Sequence, residues 1–158
     1  MTNHQIYFAQ HGLAVSKANN PDRPLSDAGT RQTEAIARQL RRSAIPVAHI
    51  THSGKLRALQ TAQIFAAELN LSTVTASEFL SPNDDVTLLA RYLQADTAIN
   101  NTLYIGHLPH LEKLVSFLIT GKDEPSIIQY QNSAVVCLQK NESSYQLRWY
   151  VTPEALAI

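Results

Sequence analysis

Three basic residues that could hold or attack a phosphoryl group each follow a short apolar segment of this chain. His11 lies in FAQHG, Arg57 in SGKLRALQTA and His107 in YIGHLPH. If the apolar segments are parallel strands, the three side chains leave one edge of a single sheet, where open α/β folds form their ligand crevices. Two imidazoles and a guanidinium that meet there predict a phosphate site with its own nucleophile.

Each of these residues also has an ordinary structural explanation when it is taken alone. A histidine after a strand is more often structural than catalytic, and an arginine in the first turn of a helix is usually solvated. Three such residues at equivalent places after three strands favour catalysis, because unrelated surface residues would scatter over both ends of a sheet. Gly12, directly after His11, also lets a ligand approach the backbone closely.

Length and composition predict one domain over residues 1–158. The apolar content of 44% suffices for a core of that size. Thirteen acidic and thirteen basic residues give a formal net charge of zero, which argues against nucleic acid or an anionic membrane as a partner. The chain has neither an apolar run of the ~18 residues that a membrane span needs nor a signal-peptide pattern. With its single cysteine, Cys137, in an apolar stretch, we expect a cytoplasmic protein.

Strand and helix patterns alternate along the chain, and their order predicts the fold class. We expect four strands, at residues 6–9, 47–51, 71–75 and 102–105. Amphipathic helices follow them, at residues 26–42, 55–69 and 84–95 and from Leu111 until Gly121. Residues 133–139 and 145–151 should pair as an antiparallel hairpin. The fold predicted is α/β, a three-layer α/β/α arrangement with a mixed, mostly parallel six-stranded sheet and helices on both faces.

Metal and nucleotide sites receive little support from the sequence. His49 and His52, and likewise His107 and His110, have H-x-x-H spacing, but strand alternation sends the first pair to opposite faces. A tetrahedral ligand set is not completed by a nearby cysteine or carboxylate. The chain also lacks a P-loop and a dinucleotide fingerprint. We therefore expect no metal and no cofactor.

Four segments occur along the chain in a fixed order: FAQHG, DRPLSDAG, SGKLRALQTA and YIGHLPHLEKLV. Together they resemble the motifs of the histidine phosphatase superfamily, the phosphoglycerate mutase-like enzymes, and most closely the short bacterial phosphohistidine phosphatases of the SixA type. The resemblance covers nearly the whole chain and implies a phosphoglycerate mutase-like fold. It makes His11 the nucleophile that is transiently phosphorylated, and Arg57, Arg23 and His107 the phosphate clamp.

Gln10 departs from the family pattern, which has an arginine next to the nucleophile. Arginine offers phosphate a charged planar fork, whereas glutamine offers a neutral amide with two N–H donors. A charge-assisted hydrogen bond contributes about 1.5 to 3 kcal/mol, so its loss costs on the order of 10- to 100-fold in rate. We expect a slower enzyme rather than an inactive one, with the Gln10 amide still near the phosphate.

The need for a general acid narrows the substrate class. An alkoxide leaving group needs a proton donor, and the candidate here is Glu78, which is equally well explained as a solvated loop residue. An imidazole leaving group departs from an already protonated ring and makes less demand for an acid. The sequence therefore favours phosphohistidine on a phosphotransfer or signalling protein, with that protein partner implied by the resemblance.

The leading hypothesis is a metal-independent phosphohistidine phosphatase whose site would also accept phosphate or sulfate. One alternative is a pseudoenzyme that binds a phosphorylated partner without turnover because Gln10 weakens the site. A second alternative is a phosphomonoesterase that acts on small molecules.

Overall fold

The computed structural model describes residues 4–95 and 98–158, which form one sheet and the helices that cover it. The strands are β1 (Gln5–Gln10), β2 (His49–His52), β3 (Thr75–Ala76), β4 (Thr102–Gly106), β5 (Val135–Lys140) and β6 (Tyr145–Val151). The helices are α1 (Asp27–Arg42), α2 (Leu56–Glu68), α3 (Val86–Gln94) and α4 (His110–Thr120). Each predicted element has a counterpart in this order.

The sheet is mixed, as predicted, with strand order β3-β2-β4-β1-β5-β6. The strands β2, β3, β4 and β1 run parallel, and helical crossovers connect them. The hairpin of β5 and β6 is antiparallel and joins the sheet through the pairing of β5 with β1. Strand β1 therefore lies inside the sheet, and its carboxyl end lies beside that of β4, where Gln10 pairs with Gly106.

Alternate residues of β1 enter two separate cores, one on each face of the sheet. Ile6 and Phe8 pack with the apolar sides of α3 and α4, whereas Tyr7 and Ala9 pack with those of α1 and α2. All four side chains are fully buried. The three-layer α/β/α arrangement is thereby confirmed.

Helix α1 begins and ends where its sequence signals indicate. The Ser26 side chain accepts a hydrogen bond from the Gly29 amide at 3.0 Å, so it caps the amino end of the helix. In the last turn, Arg41 meets Glu68 of α2 at 3.1 Å. This partly exposed ion pair contributes little to stability on its own, at most about 1 kcal/mol, because water screens it.

The third strand differs from the prediction of residues 71–75, since β3 comprises only Thr75 and Ala76. The Leu71 amide donates a hydrogen bond back to the Ala66 carbonyl at 2.9 Å, so Leu71 belongs to the turn that ends α2 and not to a strand. Leu71 and Val74 pack, partly buried, against the core under α2. Their apolar character therefore reflects this packing and not membership of a strand.

None of the helices within residues 4–95 and 98–158 combines the length and the apolarity that a membrane crossing requires.

Candidate active site

His11 follows the last residue of β1, and two hydrogen bonds fix the orientation of its ring. Arg57 Nε can only donate, so its contact with His11 Nε2 at 3.3 Å makes Nε2 the acceptor. The other nitrogen, Nδ1, then carries the proton and donates to the Gly12 carbonyl at 2.8 Å. The lone pair of a neutral imidazole is thus at Nε2, next to a guanidinium.

His107 follows β4 and lies beside His11, with 4.8 Å between the ring centroids. Ser53, directly after β2, shares a hydrogen bond of 2.6 Å between its Oγ and His107 Nε2. His107 Nδ1 is buried and forms no hydrogen bond within the part of the chain that the structure describes. The His107 ring is therefore held by Ser53 through Nε2, and its Nδ1 is available for a hydrogen bond to a ligand.

A cleft of about 270 Å3 contains the predicted phosphate ligands at this edge of the sheet. Its lining residues are Gln10, His11, Leu13, Ala14, Arg23, Arg57, Pro82, His107, Leu108 and Asn132. The structure thus brings together all five residues that the sequence nominated as nucleophile or phosphate ligands. Gln10 ends β1 and His11 follows it, while His107 follows β4. Arg57 lies in the first turn of α2, and Arg23 comes from the loop between β1 and α1.

Arg23 reaches the cleft through a backbone conformation that is uncommon for a residue with a side chain. Its φ is 50°, in the left-handed region, and its amide donates to the Asn20 carbonyl at 3.0 Å. The guanidinium is oriented by a hydrogen bond from Nε to the Val15 carbonyl at 3.2 Å. The loop of residues 12–25 therefore holds the Arg23 guanidinium in a fixed orientation at the cleft.

Two polar side chains of α2 connect this loop to the helix that bears Arg57. Thr61 Oγ1 accepts from the Gly12 amide at 2.9 Å and donates to the Arg57 carbonyl at 2.7 Å. Gln60 Oε1 accepts from the Leu25 amide at 2.7 Å. The Gln-Thr pair in SGKLRALQTA therefore fixes the nucleophile's backbone and the Arg23 loop to one helix.

Close backbone packing explains two glycines near the nucleophile. A Cβ at Gly12 would lie 2.6 Å from Thr33 Oγ1, and a Cβ at Gly29 would lie 2.0 Å from the Leu13 carbonyl oxygen. Both distances are shorter than any ordinary contact, so α1 can approach the loop after His11 only where side chains are missing.

Ser53 and Asn132 belong to the site but were not nominated as site residues from the sequence, although Ser53 opens the segment SGKLRALQTA. The Asn132 side-chain amide donates to the His11 carbonyl at 3.0 Å. Ser53 could have been found, because it follows β2 as His11 and His107 follow their strands. Asn132 lies in an irregular segment before β5 and has no local signal, since only the tertiary fold brings it to β1.

Burial is the main cause that lowers the pKa of His11 to about 4. The hydrogen bond to the Gly12 carbonyl opposes this change, and the charges of Arg57 and Arg23 add to it. Burial, followed by the charges of His11 and Arg57, lowers the pKa of His107 to about 3. Both imidazoles are therefore neutral at physiological pH. A neutral ring is the form that can act as a nucleophile.

The other residues that the sequence singled out are the predicted general acid, the glutamine that departs from the family pattern, and the histidines considered as metal ligands. Glu78 is exposed in the turn after β3 and is not among the residues that line the cleft. Gln10 lines the cleft, but its Oε1 is buried without a hydrogen-bond partner among the described residues. His49 is exposed and His52 is buried, in agreement with their predicted opposite directions. Within residues 4–95 and 98–158, His, Cys, Asp and Glu form no group of three or more that could hold a metal ion.

The sequence and the fold together identify the class of protein. The family profile described as Histidine phosphatase superfamily (branch 1) matches residues 6–80, and a curated relative is 30% identical over 154 residues. The chain therefore belongs to the histidine phosphatase superfamily. That relative is the phosphohistidine phosphatase SixA of Escherichia coli strain K12, and the match covers 94% of each chain.

Solved structures agree with this assignment. A structure of the protein histidine phosphatase SixA complexed with tungstate has a TM-score of 0.85 and 29% identity, and the match covers 96% of this chain and 99% of that one. A phosphoserine phosphatase variant from Entamoeba histolytica has a TM-score of 0.74 and 14% identity, with coverage of 96% and 98%. The second likeness supports the fold alone.

Proposed function

We propose that this protein is a metal-independent phosphatase that hydrolyses phosphohistidine on a phosphotransfer or signalling protein, through a phosphorylated His11 intermediate. The observation that carries the proposal is the His11 ring, whose Nδ1 is bonded to the Gly12 carbonyl and whose Nε2 lies in a cleft with two guanidinium groups. The similarity to the phosphohistidine phosphatase SixA of Escherichia coli supports the substrate class.

In the first step, the lone pair of His11 Nε2 attacks phosphorus in line with the bond that breaks. The charge on the equatorial oxygens is balanced by Arg57 and Arg23, with hydrogen bonds from His107 and the Gln10 amide. The electron pair of the breaking N–P bond returns to the leaving imidazole. That ring already carries a proton on its other nitrogen, so it departs neutral and needs no general acid.

In the second step, water attacks the phosphorylated His11, and the new N–P bond breaks. The Nδ1 proton stays hydrogen-bonded to the Gly12 carbonyl throughout, so the phosphorylated ring is positively charged. The imidazole is therefore a good leaving group from phosphorus. The electron pair returns to Nε2, phosphate departs, and the water gives up its proton to solvent. Glu78 has no part in either step, in keeping with its place outside the cleft.

The test compares wild-type protein with His11→Ala on phosphoramidate and on a phosphohistidine protein, with and without a chelator. We expect wild-type hydrolysis that the chelator does not change and that His11→Ala abolishes. His49→Ala is the matched control, because His49 is exposed and outside the cleft. A rapid acid-free quench should show one phosphoryl group on His11. Turnover no faster than that of His11→Ala would refute the proposal.

The pseudoenzyme is the second candidate, and the Gln10 side chain favours it. Where the family has a charged arginine fork, this chain has a neutral amide whose oxygen finds no hydrogen-bond partner among residues 4–95 and 98–158. It predicts that a phosphorylated partner binds His11→Ala as well as wild type and that no phosphorylated enzyme forms. Faster release of phosphate from sugar phosphates than from phosphoramidate would instead indicate a small-molecule phosphomonoesterase.

A further inference from the structure

A second depression, of about 380 Å3, adjoins the cleft and shares Leu13 and Asn132 with it. We call it the flanking depression. Pro153 and Ile158, from the segment after β6, contribute apolar surface to it. Leu13 and Ile158 are 42% and 45% exposed. Large apolar side chains around a concave surface are typical of a place that a partner covers.

One acidic side chain, that of Glu154, lines the flanking depression, and it is hydrogen-bonded to the residue that precedes Asn132. Gln131 Nε2 donates to Glu154 Oε2 at 2.6 Å. The next residue, Asn132, donates to the His11 carbonyl at 3.0 Å. In the part of the chain that the structure describes, Glu154 has no ion pair with a basic side chain. The Glu154 carboxylate therefore lies in the depression that adjoins the cleft and is not neutralised there by a basic side chain of the described residues.

The side chains that line the two adjoining cavities differ in charge type. Arg23 and Arg57 line the cleft, whereas Glu154 is the acidic side chain that lines the flanking depression. The chain has a formal net charge of zero, so this contrast acts locally and not as a long-range field. A ligand that complements both cavities has an anionic phosphoryl group and, next to it, a cationic side chain with an apolar stem.

We propose that the flanking depression is a docking subsite for the polypeptide that carries the phosphohistidine, and that it takes up a lysine or arginine next to the phosphorylated residue. The stem of that side chain packs against Leu13 and Ile158, and its charge pairs with Glu154. The inference rests on the proposed function and extends it, because a small phosphorylated molecule would leave this subsite empty.

The test uses three phosphohistidine peptides, Gly-Ala-X-pHis-X-Ala-Gly, in which X is Lys, Gln or Glu. Exposed ion pairs are worth about 0.2 to 1 kcal/mol, so wild type should hydrolyse the Lys peptide with a kcat/KM about 1.5- to 5-fold above that of the Gln peptide. The Glu peptide should be poorer than both. The preference should shrink as ionic strength rises.

Two variants assign this preference to Glu154. Glu154→Gln should bring the Lys-to-Gln ratio close to one, and Glu154→Lys should reverse it in favour of the Glu peptide. Glu142→Gln is the matched control, because Glu142 is an exposed residue in the turn between β5 and β6, at the opposite end of β5 from the cleft. It should keep the wild-type ratio. Comparing ratios within each variant removes any general change in activity.

The outcomes separate the two proposals. If phosphoramidate and peptides are hydrolysed but the ratio is one in wild type, or is equal in wild type and Glu154→Gln, the subsite is refuted and the phosphatase stands. If nothing is hydrolysed faster than by His11→Ala, both proposals fall. A ratio that follows the charge at position 154 supports the docking subsite.

Discussion

Acid should destabilise this protein strongly, because the folded state holds two active-site imidazoles in their neutral form. The pKa of His11 is lowered to about 4 and that of His107 to about 3, in both cases chiefly by burial. In the unfolded chain each ring protonates near pH 6.5. Between these values the unfolded state binds more protons than the folded state, so stability falls as pH falls.

The size of the effect follows from the two pKa values. On going from pH 7 to pH 5, each ring lowers the free energy of unfolding by about 2 kcal/mol, at about 1.36 kcal/mol per pKa unit. Together they remove about 4 kcal/mol, which is a large part of the 5–15 kcal/mol of a typical domain. Burial also lowers the pKa of His52 and His110, which adds to the loss.

Urea unfolding followed by the fluorescence of Trp149 measures this loss. Wild type should lose about 4 kcal/mol or more between pH 7 and pH 5, and His11→Asn about 2 kcal/mol less than wild type. His49→Asn, which changes an exposed histidine outside the cleft, should behave like wild type. If wild type and His11→Asn lose the same free energy, His11 titrates normally and the electrostatic account of the nucleophile is wrong.

Three further substitutions test the site. Gln10→Arg should raise kcat/KM for phosphoramidate by about 10- to 100-fold, because it restores a charged fork for the phosphoryl oxygens; an equal or lower rate would show that the pocket is adapted to glutamine. Ser53→Ala removes the 2.6 Å hydrogen bond to His107 and should lower kcat by about 2- to 10-fold without altering urea stability by more than about 1 kcal/mol. Gly29→Ala should destabilise the protein by about 1 to 3 kcal/mol in urea unfolding, since its Cβ would lie 2.0 Å from the Leu13 carbonyl oxygen.

Matched controls exist for the first two substitutions. Gln63→Arg adds the same charge to an exposed position of α2 outside the cleft and should leave kcat/KM unchanged. Ser143→Ala changes an exposed serine in the turn between β5 and β6 and should leave kcat unchanged. If either control reproduces the effect of its partner, the assigned contact does not cause that effect.

The order of the elements and the meeting of the basic residues could be predicted, because both follow from local patterns and one topological rule. Side chains that follow parallel strands share an edge, and this rule alone placed His11 and His107 together. The succession of strand and helix segments likewise predicted a parallel sheet that helices cover on both faces. The prediction failed at β3, where Leu71 and Val74 are apolar because they pack under α2.

The supporting contacts of the site could not be predicted from local patterns. Asn132 reaches the His11 carbonyl from 121 positions further along the chain, and no periodicity marks it. The acceptor of the His11 proton is the Gly12 carbonyl, and only the coordinates identify it. Hydrogen bonds to backbone carbonyls leave no signature in residue type, so sequence reasoning finds the reacting groups more readily than their supports.

The interior position of β1 in the sheet has a consequence for the order in which the molecule forms. Strand β1 is synthesised before both of its partners, β4 and β5, which lie on the order of a hundred residues further along the chain. During translation both edges of β1 stay unpaired until β4 and β5 have left the ribosome. Such distant pairing slows folding and leaves the apolar residues of β1 exposed to other molecules. Chaperones should therefore associate most strongly with chains that are interrupted before residue 135, where β5 begins.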